Sequence, residues 1–355
     1  MHDQLILSGQ LLAVGFDGVT APPGLLRRIS TGRVGAVILF ARNVEGPAQL
    51  ATLCAALSAA APAGRPLLIA IDQEGGRVRR LREPWPDWPS ARRLGDTGDP
   101  ELVTRVGAAM GRELASCGIH CNLAPVLDVH TNPDNPVIGD RAFATTPDGV
   151  ARFAGAYAAG LESAGVASCG KHFPGHGDTS QDSHTELPFV RHGTERLEAV
   201  ELAPFAALAQ TLPAMMSAHV VFEAWDPERP ATLSPAALQG RLRGLGFSGV
   251  ILSDDMEMRA VADLHGPEEL AVMALQAGVD LIAACHDTAR QERMLAALAQ
   301  RAEGDHDFAR RVAAAAARVA QLKQRYCTGK PPDPAAAKRV AADPEHHRLA
   351  ASLAP

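Results

Sequence analysis

The densest group of side chains able to do chemistry lies between residues 170 and 184, where Lys171, His172, His176, Asp178, Asp182 and His184 fall in one stretch rich in Gly, His and Asp. Imidazoles beside carboxylates can pass protons near neutral pH. The same residue types can also ligate a metal, and His172, His176, Asp178, Asp182 and His184 are all candidates for that. A second group is the carboxylate pair Asp254-Asp255, which follows the apolar run Ile251-Leu252. A third is Asp72 to Arg80, with Asp72, Glu74, Arg77, Arg79 and Arg80 after another apolar run. Asp128, His130, Asp140, Arg141 and His219 also come soon after apolar runs. Residues of this kind that gather after successive strands point to one shared site.

The elements that must carry them are short apolar runs alternating with helical patterns. Eight runs read as strands: Leu11–Gly15, Gly35–Phe40, Pro66–Ile71, Ile119–Pro125, Val166–Cys169, Ala214–Ser217, Gly249–Leu252 and Val279–Ala283. They are continuous rather than alternating, as parallel strands covered on both faces require. Helical patterns run over Pro47–Ala61, Pro100–Cys117, Pro147–Ala164, Pro235–Leu245, Glu268–Ala277 and Phe308–Tyr326. Asp99, Thr146 and Ser234 stand where N-caps belong, and Gly118, Gly165, Gly246 and Gly278 follow the helix ends. Eight such units predict a single (β/α)8 barrel, with a doubly wound open sheet as the alternative. The barrel is expected over residues 1–328. A linker at Lys330–Pro334 then leads into an Ala-rich stretch, expected as a weak helix or loosely held tail over 329–355.

Composition narrows the function classes. The 355 residues are 46% hydrophobic and 21% charged, with a formal net charge of −6, which argues against general affinity for nucleic acid or anionic lipid. The six cysteines are scattered without a CxxC pair and read as reduced, buried thiols. No apolar run is long enough to span a membrane, and the first residues carry no basic leader pattern, so the expected location is cytoplasmic. Aromatic residues are scarce at 4%; Trp85, Trp88 and Trp225 are candidates either to stack on a ligand or to pack against the barrel rim.

The segments IDQEGGRV (71–78), PVLDV (125–129), NPDNPVIGDRAF (132–143), GKHFPGHGDTSQDSH (170–184), SAHVVF (217–222), RPATLSP (229–235) and ILSDDMEM (251–258) together resemble glycoside hydrolase family 3, specifically its NagZ-type β-N-acetylglucosaminidases. The resemblance runs in family order over roughly residues 10–327. It implies a retaining hydrolase of terminal N-acetyl-β-glucosaminyl residues that needs neither cofactor nor metal. It assigns Asp254 as nucleophile and His184 as acid/base, supported by Asp182. It assigns sugar binding to Asp72, Arg80, Arg141, Lys171 and His172, with Arg80 the least distinct because Arg77, Arg79 and Arg82 lie close by. The expected partner is a saccharide or an anhydro-muropeptide from cell-wall recycling, with no nucleic acid and no membrane; the sequence gives no oligomeric state. Two alternatives stay open at this point: a phosphorylase of the same family, in which phosphate replaces water, and a barrel that binds muropeptides without turning them over.

Overall fold

In a computed structural model the chain is described over residues 2–180, 183 and 186–354. Eight parallel strands form a closed barrel: β1 (Leu12–Val14), β2 (Ala36–Leu39), β3 (Leu68–Ile71), β4 (Cys121–Asn122), β5 (Ala167–Phe173), β6 (Ala214–Ser217), β7 (Val250–Asp255) and β8 (Leu281–Ala284). Each pairs with the next, and β8 returns to β1 with Leu12 opposite Ile282, Ala13 opposite Ala283 and Val14 opposite Ala284. That last pairing excludes the open sheet.

Side chains alternate along the strands, and the two faces differ in size. Ala13, Ala36, Ala70, Cys121, Ala167, Cys169, Ala214 and Ala283 belong to one buried cluster with Leu68, Val250 and Leu252. Leu12, Val14, Val37, Leu39, Ile69, Ile71, Ile251 and Ile282 belong to a second cluster shared with the surrounding helices. Small residues thus fill the narrow barrel lumen, while branched residues pack outward. The long helix His306–Tyr326 adds Val319, Leu322 and Tyr326 to the lumen cluster, where they close the amino end. Ligand access is left to the carboxyl end.

The helices begin where the sequence signals them. Asp99 accepts from the backbone N–H groups of Glu101 and Leu102 to start Pro100–Ser116. Thr146 accepts from Gly149 N–H to start Pro147–Ser163. The pattern read as one helix over Pro235–Leu245 forms a wider π-type turn at Ala236–Leu242 and then a tighter one at Arg243–Leu245. The stretch after Gly329, expected as a weak helix or loosely held tail, forms two short helices, Pro334–Ala341 and Pro344–Ala351, capped by Asp333 and Asp343. Ala337, Ala341, Ala350 and Leu353 are buried in the main core. His346 is buried too, with Nδ1 2.8 Å from Glu113 Oε1. All six cysteines are free and five are buried. No helix among the described residues is long and apolar enough to cross a membrane.

Candidate active site

Two strands run further than their apolar cores. β5 continues through Lys171 and His172 to Phe173, and β7 continues through Asp254 to Asp255. These polar residues, expected in the loops after the strands, stand within the strands themselves: Lys171 bridges to Val126 and Asp255 pairs with Ala283, while His172 and Asp254 sit where the ladder shifts register. The register holds Ser253 opposite Ser217 and Asp255 opposite Ala283. All four side chains line one cavity of about 530 Å³ at the carboxyl end of the barrel, together with Asp72 from the end of β3 and Phe40 from the end of β2.

The β3–β5 side of the cavity is a network of charge. Lys171 is buried, and its Nζ donates to Asp72 Oδ1 at 2.7 Å and lies 2.6 Å from Glu74 Oε1. Arg141 donates from Nε and Nη2 to the two oxygens of Glu74, each at 2.9 Å, a forked pairing that fixes both planes. Burial alone pushes the Glu74 carboxyl up, but Arg141 and Lys171 outweigh it and hold Glu74 well below the usual carboxylate range. Burial pulls Lys171 and Arg141 down, and the neighbouring carboxylates more than reverse it, so both cations are held charged.

Arg80 completes the group, with Nη2 3.4 Å from Asp72 Oδ2. Its neighbours are engaged elsewhere. Arg77 donates to Asp140 and to the carbonyls of Val137 and Ile138, and Arg79 pairs with Asp87. The position of Arg80 is set by Gln73, whose buried Oε1 accepts the backbone N–H of both Arg80 and Leu81.

His172 joins this network to the following loop. Its Nδ1 is 2.7 Å from Asp128 Oδ2, and its Nε2 is 3.3 Å from Arg141 Nη2. Asp128 can only accept when ionised, and burial raises its carboxyl less than His172 and the nearby donors lower it. The proton therefore sits on Nδ1, and Nε2 can accept from Arg141. Asp128 also accepts the backbone N–H of His172 and His176, so one buried carboxylate anchors the whole turn. Gly175 sits at φ +135°, and a Cβ on Gly177 would overlap the carbonyl oxygen of Val129, so the loop closes only with glycine at these points.

His176 hydrogen-bonds Thr179 Oγ1 through Nδ1 at 2.8 Å and Ser183 Oγ through Nε2 at 3.1 Å. Burial lowers it to about 4, so it is neutral. Asp178 accepts from Thr131 and lies 2.5 Å from His192 Nε2. Among the described residues, no group of three or more His, Cys, Asp or Glu side chains is arranged to hold a metal. Asp182 and His184 lie outside the described residues.

The β7 side is acidic. Asp254 is partly buried, and its Oδ1 accepts the backbone N–H of Asp255 at 2.8 Å. The Asp255 carboxyl accepts the Glu257 N–H at 3.1 Å and faces His286 Nε2 at 3.5 Å. Burial, with Glu257 and Asp254 close by, pushes Asp255 up to about 7.

Of the residues named from the sequence, Asp72, Arg80, Arg141, Lys171, His172 and Asp254 line this cavity, and two further lining residues had been given no role. Glu74 stood in the quoted motif without a role, yet it is the carboxylate that both Arg141 and Lys171 contact. Phe40 lines the cavity with the Arg80 guanidinium 5.9 Å from its ring centre. The tryptophans do not line it. Trp85 and Trp88 are core residues, and Trp88 donates from Nε1 to Glu113. Trp225 stacks on Phe222 with ring centres 5.6 Å apart.

Known proteins share this barrel and part of its sequence. Residues 8–322 match the family described as the Glycosyl hydrolase family 3 N terminal domain. Beta-hexosaminidase A of Pseudoalteromonas piscicida is 37% identical over 366 residues, covering 94% of this chain and 60% of that protein. This chain thus spans about three-fifths of that relative's length. The solved family 3 β-N-acetylglucosaminidase of Paenibacillus sp. str. FPU-7 superposes with a TM-score of 0.90 at 40% identity, over 98% of this chain and 67% of that one. Native NagZ of Neisseria gonorrhoeae superposes with a TM-score of 0.81 at 31% identity, over 97% and 98%. The match over residues 8–322 and the shared barrel place this chain in glycosyl hydrolase family 3.

Proposed function

We propose that the protein is a retaining β-N-acetylhexosaminidase that removes terminal N-acetyl-β-glucosaminyl residues. The observation that carries this reading is one cavity holding Asp254, near the end of β7, opposite the Asp72–Lys171–Glu74–Arg141 network. A carboxylate there faces a wall of fixed donors and acceptors suited to sugar hydroxyls and an acetamido carbonyl. The names of the relatives, β-hexosaminidase and β-N-acetylglucosaminidase, agree with it.

In the first step an oxygen of Asp254 attacks the anomeric carbon, the bond to the leaving oxygen breaks, and that oxygen takes a proton from His184. In the second, water attacks the same carbon, His184 takes its proton, and the bond to Asp254 breaks. Two inversions restore the β configuration. The roles of His184 and its support Asp182 rest on the family resemblance. Asp72, Arg80, Arg141, Lys171 and His172 hold the sugar, and the step needs no cofactor. The resemblance to NagZ supports an anhydro-muropeptide substrate met in the cytoplasm during cell-wall recycling, with the catalytic barrel itself ending near residue 328 and the two helices within 329–355 packed onto it.

Hydrolysis of p-nitrophenyl N-acetyl-β-glucosaminide in phosphate-free buffer containing EDTA tests the reading. The expected result is turnover to β-N-acetylglucosamine. Sugar 1-phosphate as the main product once phosphate is added supports the phosphorylase. Loss of activity in EDTA supports a metal site, and tight muropeptide binding without turnover supports a binding barrel.

A further inference from the structure

His219, which follows a strand end as the site histidines do, has been given no role so far. It follows β6 and is fully buried, and it is not among the residues that line the cavity. Its Nε2 lies 3.0 Å from the backbone carbonyl oxygen of Asp255, and its Nδ1 lies 2.9 Å from Thr232 Oγ1. A carbonyl oxygen only accepts, so Nε2 carries the proton. Thr232 in turn reaches Ser217 Oγ at 2.9 Å and Ala218 O at 2.9 Å, so its hydroxyl is held by the end of β6.

The Asp255 carbonyl also accepts the backbone N–H of Met258 at 3.0 Å. Both of its lone pairs are therefore engaged, one by the turn that ends β7 and one by His219. The N–H of the same residue donates to Asp254 Oδ1 at 2.8 Å. His219 thus holds the residue whose N–H orients the Asp254 carboxylate, while itself buried and not lining the cavity. We infer that His219 is a positioning residue for Asp254, transmitting the β6 frame through Thr232 and the Asp255 backbone. The inference rests on the reading of Asp254 as nucleophile. A shift of that carboxylate by about 1 Å is worth on the order of 10²-fold in rate, because attack requires a near-aligned approach.

The test compares His219→Leu with His219→Gln, whose amide N–H can still reach the Asp255 carbonyl, on p-nitrophenyl N-acetyl-β-glucosaminide, with Asp254→Ala in parallel. The expected result is a kcat about 10²-fold lower in His219→Leu with KM within about twofold, and recovery of about tenfold or more in His219→Gln. Equal kcat losses in both variants, or a loss carried by KM, overturn the inference while Asp254→Ala stays dead. Activity surviving in Asp254→Ala overturns both this inference and the function reading. A second measurement does not depend on the variants folding well. The ¹⁵N imidazole spectrum of the wild-type protein should show His219 Nε2 carrying a proton, and an unprotonated Nε2 contradicts the inference.

Discussion

On the β3–β5 side of the cavity, Asp72 and Glu74 each meet two cations within 3.5 Å. On the β7 side, Asp254, Asp255 and Glu257 crowd into four residues; Asp255 faces an imidazole at 3.5 Å, and Glu257 has Arg290 at 4.0 Å. Burial is similar and the outcome is opposite: Glu74 is held well down, and Asp255 is pushed up to about 7. The lesson is that burial sets the cost of a charge, whereas the fixed cation decides whether that cost is met. A side built of matched charges can hold a neutral sugar in one pose. A side with surplus carboxylate is suited to meet positive charge developing on the anomeric carbon.

The comparison can be broken first at Asp254. Asp254→Ala should lower kcat by roughly 10⁴-fold or more, the scale seen when a nucleophile is removed, and steady-state kinetics will show it. Glu74→Gln attacks the matched side. It leaves Arg141 and Lys171 short of a buried partner and should cost about 3–5 kcal/mol of stability, read by urea unfolding, with a raised KM in whatever remains folded.

Asp255→Asn sharpens the contrast through pH. The folded carboxyl at about 7 lies above its unfolded value of about 3.9, so between those values the folded chain binds more protons. Stability therefore falls as pH rises through that window, and the Asn variant should lose less Tm than wild type between pH 5 and 7. The smallest effect is expected at Phe40. Phe40→Leu removes an aromatic face from the cavity wall and should raise KM about threefold, with kcat nearly unchanged.

Much of this arrangement was legible before any coordinates. All eight strand cores coincide with their apolar runs, because a strand buried on both faces leaves no other pattern. The ends of β5 and β7 were not legible. Lys171, His172, Asp254 and Asp255 interrupt hydrophobicity, while the ladder shifts register and resumes beyond the break, at Phe173 opposite Ser217 and at Asp255 opposite Ala283. The helix Thr288–Gly304 is absent from the helical patterns read above, although Asp287 is a plain N-cap. Phe40 and Glu74 were hidden for a different reason. Their importance lies in which distant strand they face, and spacing along the chain does not record that. The packing of Pro344–Ala351 is of the same kind, since it depends on His346 meeting Glu113, 233 residues away.

The most direct test of the account is to trap the glycosyl-enzyme. The protein is incubated with a 5-fluoro N-acetylglucosaminyl fluoride, digested with pepsin and sequenced by mass spectrometry. The account predicts one added sugar on the peptide containing Asp254, fragmenting to that residue and absent from Asp254→Ala. A sugar carried by Asp255 or any other side chain, or turnover of the probe with no covalent species at any time, would contradict it.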